Sequence, residues 1–195
     1  MDLFPFNPDS QRLKTNSDPV DQAFIAHFQV SSANAVASDT DGVHASVSLT
    51  ASAQAVTTGI ANPAVPRNIT VTGSAAGIAG NVTVTGTNYA GNAITETIAL
   101  SGASTVAGTK AFKTVVSIAF PAKTNTSGDA VTVGFGSVLG LPFKLAHNTA
   151  IAAYLDNTKE STAPTVTTSA SALESNTISL SSALSGKVVD AYFMI

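Results

Sequence analysis

The chain has no cysteine among its 195 residues. Neither a disulfide nor a thiolate metal site can hold it together, and the redox compartment is left open. It has no tryptophan and only three tyrosines, Tyr89, Tyr154 and Tyr192. That shortage counts against a sugar-binding module with aromatic platforms, and against a glycosidase, which also needs two placed carboxylates. Charge is scarce as well: Asp, Glu, Lys and Arg make up 11% of the chain, about half the usual share. Nine Lys and Arg against twelve Asp and Glu leave a net charge of −3, with no basic face from which to displace counterions, so no nucleic-acid partner is expected. No apolar run approaches the roughly 20 residues of a membrane helix, and no membrane partner is expected either.

Catalytic patterns are missing too. No G-x-S-x-G elbow accompanies the many serines, and His27, His44 and His147 sit in unremarkable contexts. Gly134-Phe-Gly136 is not followed by the Lys-Ser/Thr of a phosphate loop. Asp39-Thr-Asp41-Gly42 resembles the start of a calcium loop but lacks the later oxygen ligands and the closing Glu, so it reads as a plain Asp-Gly turn. Asn68, Asn81 and Asn125 match N-x-[ST] only as chance in a Ser/Thr-rich chain. No catalytic, cofactor-binding or metal-binding residue is assigned, no cofactor is expected, and the chain does not read as an enzyme.

What the sequence does have is alternation. From Asn68 to Gly102 three strand-like runs are cut by Gly and Asn. Ile69 and Val71 oppose Thr70 and Thr72, and Val82 and Val84 oppose Thr83 and Thr85, the period of a half-buried strand. β-Branched residues suit that pleat. Gly91-Asn92 is expected to close a hairpin onto Ala93 to Leu100. The echo NITVTG/NVTVTG reads as two strands of one small hairpin with convergent chemistry, since a solenoid needs about three or more repeats. Glu96 breaks the apolar face of Ile94, Ile98 and Leu100. It is either an inward charge guarding an edge strand or a residue at the rim of a partly covered face.

The remaining chain supports the same class. Met1 to Pro19 contains Pro5, Pro8 and Pro19, with Leu3, Phe4 and Phe6 at its front, and reads as an extended arm. Those aromatics suit docking on a neighbour, or a tail tucked on its own domain. Phe24, Ala26, Phe28 and Val30 alternate with Ile25, His27 and Gln29, which places His27 on a solvent-facing side. A loop is expected at Ser38 to Gly42 and strands at His44 to Leu49, Lys110 to Phe120, Ala130 to Phe135, Ile151 to Leu155, Thr165 to Thr168, Thr177 to Leu180 and Val188 to Met194. Phe112, Val116, Ile118 and Phe120 would form one apolar face, and Leu139 to Leu145 an ordered turn. Ser127-Gly-Asp129 is expected to turn into the strand beginning at Ala130. Gly134 and Gly136 permit a close backbone approach or mark a bulge. The expectation is an all-β, mostly antiparallel β-sandwich or barrel-like domain over 23–195 with an extended N-terminal arm over 1–22 and a candidate subdivision near 63–66. The opening MDLFPFNPDSQRLK has no basic start followed by an apolar core and does not read as a secretory signal. From Gly42 to Thr95, Arg67 is the sole charge. Hydroxyls and amides keep such a surface soluble, or neighbouring subunits cover it.

The segments PRNITVTG, GNAITETIALSG, GTKAFKTVVSIAFP, GDAVTVGFGSVLGLPFKL and APTVTTSASALESNTISLSSALSGKVVDAYFMI, in that order, resemble a family of tailed-phage and prophage virion proteins of the head-decoration type. The resemblance covers Arg67 to Ile195. It implies a structural role, with the phage major capsid protein and further copies of itself, as a homotrimer, for partners. It places the protein on the capsid surface of the virion, made in the host cytoplasm. A tail-tube or tail-fibre component is the alternative. The resemblance supplies no site residues. The protein-interaction candidates, Leu3, Phe4 and Phe6, come from the arm itself.

Overall fold

Alternating β-branched residues build strands through most of the chain. A computed structural model describes residues 12–14, 19–21, 23–125 and 128–195. The first strands are β1 (Arg12–Lys14), β2 (Pro19–Asp21), β3 (Ile25–Val30), β4 (Asp39–Ser48), β5 (Gln54–Val56), β6 (Arg67–Gly73), β7 (Asn81–Thr87) and β8 (Ala93–Ala99). They are followed by β9 (Thr105–Phe112), β10 (Thr114–Phe120), β11 (Ala130–Gly140), β12 (Ala150–Leu155), β13 (Thr158–Lys159), β14 (Thr165–Thr167), β15 (Thr177–Ser179) and β16 (Val189–Met194). Among the described residues the only helix is one 3₁₀ turn, Leu173–Ser175. The protein is all-β, and its described strands pair antiparallel. Within 1–22, β1 and β2 pair with each other; Leu3, Phe4 and Phe6 lie outside the described residues.

Three sheets make the body. One runs β5-β10-β7-β8, and a larger one runs β14-β15-β11-β6-β9 with β4 also on β11. A terminal sheet runs β13-β12-β16-β3. The first two enclose one core, in which Ile69, Val71, Val82, Val84, Phe112 and Ile118 are fully buried. The second core holds Leu139, Leu141, Ile178, Val189 and Phe193 between the larger sheet and the terminal one. β11 belongs to both: Val131 and Val133 pack in the first, and Leu139 in the second. Each such aliphatic side chain contributes about 1.5–3 kcal/mol by leaving water.

Several local expectations change. NITVTG and NVTVTG do not form one hairpin. β6 pairs with β9 and β11, whereas β7 pairs with β8 and β10. The two copies face each other across the first core, because each needs an apolar partner layer and the loop at 74–80 is long enough to change sheets. The Gly91 hairpin is present: β7 and β8 pair from Asn81↔Ala99 to Thr87↔Ala93, with Gly91 at φ 85°.

The expected strand Lys110 to Phe120 is two strands in different sheets, with the chain turning at Lys113. A bulge between Val115 and Ser117 then shifts the alternation. Val115 is buried and Val116 is 54% exposed, the reverse of the simple period. Asp39 to Gly42 is neither loop nor turn but the irregular start of β4, offset against β11 between His44 and Asp39. There the Asp41 carboxyl is raised above its usual range by a hydrogen bond with Asp39 and by that residue's charge. Leu139 and Gly140 extend β11 rather than open a turn, since they find a second partner strand in β15.

Glu96 sits at the rim. It lies on β8, the edge of its sheet, and reaches the neighbouring sheet where β9 breaks register with β6. Its Oε1 accepts hydrogen bonds from Thr109 N at 2.6 Å, Thr109 Oγ1 at 3.0 Å and Lys110 N at 3.2 Å. The carboxylate thus satisfies backbone donors that the bulge removes from the ladder, and it ties the two sheets along their open side. Glu96→Ala is expected to cost about 2 kcal/mol, the scale of hydrogen bonds to a charged acceptor. Glu96→Gln, which keeps one acceptor oxygen, should cost less. Urea denaturation of the three proteins checks the order; equal stability of all three would remove the tie.

Candidate interaction surface

The terminal sheet covers the second core with one face only. Phe28, Val30, Val189, Ala191, Phe193, Ala153 and Leu155 point inward and are buried. Strict alternation sends Ile25, His27 and Gln29 of β3 outward, with Asp190, Tyr192 and Met194 of β16 and Tyr154 of β12. The register sets these side by side: Met194 opposite Ile25, Tyr192 opposite His27, Asp190 opposite Gln29, and Tyr154 opposite Asp190.

The outer face has two ends. At the first, Phe24 and Ile195 exchange backbone hydrogen bonds of 2.8 Å in both directions. Ile25 and Met194 are 71% and 49% exposed there, and Phe24 and Ile195, which alternation turns to the opposite side of the pleat, are 54% and 50% exposed at the same end of the sheet. Ile151, carried outward by the bulge between Ala150 and Ala152, is 55% exposed on the neighbouring strand. Scattered exposed apolar residues are ordinary; a contiguous group marks a contact surface.

The second end is polar and aromatic. The rings of His27 and Tyr192 lie parallel, 4.7 Å apart and 9° from coplanar. Tyr154 meets Tyr192 at 88° with a centroid distance of 6.1 Å. His27 Nε2 is 2.7 Å from Asp190 Oδ1, and Gln29 Nε2 donates to the same oxygen at 2.8 Å. These side chains and Asn157 line an open depression of about 470 Å³. Asn157 is placed by the tight β12–β13 turn, in which Asp156 and Asn157 both have positive φ.

Other polar groups are structural. Asp129 accepts hydrogen bonds from the backbone of Asn125 and Thr124 and from the Asn125 side chain, which hold its carboxyl below the usual range. Asn176 is fully buried, and its side chain bridges Leu145, Ser169 and Ala172. Among the described residues no group of three or more His, Cys, Asp or Glu is placed to hold a metal ion. His27 pairs with a carboxylate but makes no hydrogen bond to a described hydroxyl.

The sequence reading put His27 on the solvent side, and it is there. That reading did not bring His27 together with Asp190 and Tyr192. The alternation of Val189, Ala191 and Phe193 with Asp190, Tyr192 and Met194 carried the outward half of the signal; the pairing of β3 with β16, more than 160 residues away, carried the rest. No protein-family model matches the chain, and searches of curated proteins and of solved structures find no match.

Proposed function

We propose that the chain is a structural virion protein that binds the outside of a phage capsid and stabilises it, acting as a homotrimer on the major capsid protein and without catalytic chemistry. The supporting observation is the apolar end of the terminal sheet, Phe24, Ile25, Ile151, Met194 and Ile195, left uncovered on a chain that spends little charge on solubility. Many modest contacts of this kind add through avidity on a repeating lattice. Leu3, Phe4 and Phe6 precede β3 in the sequence and, as an arm, would extend the contact over neighbouring subunits.

Co-sedimentation with empty, expanded phage shells tests the reading. Saturable binding at a fixed ratio to the major capsid protein is expected, weakened about tenfold or more by Ile25→Asp or Met194→Asp, the scale of losing a buried apolar anchor. Both positions are exposed, so the fold should tolerate the charge. Shell binding that neither substitution weakens would remove this face from the contact. No binding, with assembly into rings or long trimers, would instead favour the tail-tube or tail-fibre reading.

A further inference from the structure

The polar end of the outer face has the makings of a ligand site that capsid attachment does not use. Three properties point to its chemistry. Aromatic surface is concentrated there: two of the three tyrosines of the chain, Tyr154 and Tyr192, meet at a right angle with His27 stacked alongside. The corner offers ring surface and edges to a small rigid molecule, in a depression within the roughly 300–1,000 Å³ range of small-ligand sites.

Asp190 is held but not spent. Its side chain is 13% exposed, and both His27 and Gln29 bond to Oδ1. Its Oδ2 makes no hydrogen bond to any described residue, so an oriented carboxylate oxygen is free to accept from a ligand hydroxyl. The hydroxyls of Tyr154 and Tyr192 and the side-chain amide of Asn157 likewise make no hydrogen bond to described residues. They supply donors and acceptors around the same opening.

The site also selects by charge. None of the six lining residues is Lys or Arg, and one is a carboxylate. Lys159 stands opposite Tyr154 in the register but does not line the depression. Phosphate, sulfate and carboxylate ligands would meet Asp190 with no Lys or Arg in the lining to hold them. An apolar ligand would strand the free polar atoms. A neutral polyol ring satisfies both demands: its C–H faces lie on aromatic carbon, and vicinal hydroxyls bridge carboxylate and amide.

We propose that this depression binds one neutral hexopyranose unit of a glycan, with Asp190 and Asn157 taking its hydroxyls and Tyr154 and Tyr192 its ring. The sparse tyrosine and absent tryptophan of the sequence argue against a sugar module only while the aromatics are counted along the chain; pairing of β12, β16 and β3 brings the few available to one place. The inference is independent of capsid attachment, since it concerns the other end of the sheet and is read on the isolated protein.

The test applies the purified full chain to an array of neutral and acidic glycans, followed by calorimetry with the neutral oligosaccharide retained most strongly. Binding of a neutral glycan with Kd of about 1 mM or tighter is expected. Tyr154→Ala and Asp190→Asn should each weaken it about tenfold or more, and Tyr154→Phe, which keeps the ring, less than Tyr154→Ala. Circular dichroism melts confirm that each variant is folded, and Tyr154→Phe serves if Tyr154→Ala is not. Retention of no neutral glycan, preference for acidic glycans, or binding that these substitutions leave unchanged would each overturn the proposal. Capture of a peptide in place of any glycan would overturn it as well and make the depression a protein contact.

Discussion

Gly134→Ala is expected to destabilise the protein by about 3 kcal/mol, the upper range for overpacking a closed site. For a chain of this length that lowers the thermal midpoint by roughly 6–12 °C. Gly134 lies in β11 opposite Thr70 of β6, beneath the first residues of β4. A Cβ there would overlap the carbonyl oxygen of Asp39 and come within 2.6 Å of Thr40 Cα. The obstructing atoms are backbone, so no rotamer change relieves the clash. Relief means lifting Asp39 to Gly42 from β11, which loosens Val43, 1% exposed in the first core. Ser137→Ala, at an exposed position of the same strand, serves as the control and should fall within about 0.5 kcal/mol of the parent. Thermal melts of the three proteins decide the matter. A midpoint for Gly134→Ala equal to that of the parent would mean that β4 does not begin on this part of β11.

The second large effect concerns Arg67, whose side chain is the largest completely buried among the described residues. Its Nη1 donates to the Val36 carbonyl at 2.9 Å, and its guanidinium carbon lies 4.7 Å from the centroid of the Phe135 ring. Its Nε and Nη2 are buried without a hydrogen-bond partner. Burial, with no carboxylate among the described residues paired to it, pushes the guanidinium down to about 10. Replacing a buried charge by an apolar side chain of similar volume is often stabilising, whereas truncation opens a cavity. Arg67→Met is therefore expected to raise stability by about 1–2 kcal/mol. Arg67→Ala should lower it by about 2–3 kcal/mol, because the space over Phe135 is left empty.

The pH dependence gives a second reading of the same group. The folded value lies below the unfolded one, so between the two the unfolded chain holds the extra proton and stability rises with pH. The parent should gain stability relative to Arg67→Met as pH climbs past 10, and the difference between them should be flat below it. Urea denaturation across that range measures this difference directly. An Arg67→Met protein less stable than the parent would show that the guanidinium has partners that outweigh its burial.

Much of the strand content was legible because Thr, Val and Ile alternate with a period of two, and one face of each sheet must leave water. Ile69, Val71, Val82 and Val84 were assigned inward on that ground and are fully buried. The failures cluster where the period breaks. Val116 was assigned to the core and Val115 was not, because the bulge between Val115 and Ser117 puts Val115 out of phase with Ile118 and Phe120, which are buried as expected, and no local residue announces it. Lys110 to Phe120 carries an unbroken apolar pattern, yet it turns between two sheets at Lys113. Glu96 was legible as an anomaly, but the backbone donors it satisfies belong to β9, which becomes its neighbour only when the sheets meet.

By itself the sequence determined the all-β class, the alternation of faces and the low charge, since each follows from side-chain chemistry and nearest neighbours. Beyond the Gly91 hairpin, tertiary structure alone decided which strands pair. It set the two NVTVTG-like runs on opposing sheets, made β11 the strand common to both cores, and joined His27 to Asp190 and Tyr192. Pairing is a choice among many strands of nearly equal propensity, and it is fixed by the burial of whole sheet faces rather than by any segment. The outward face of the terminal sheet is for that reason readable in the assembled protein and not along the chain.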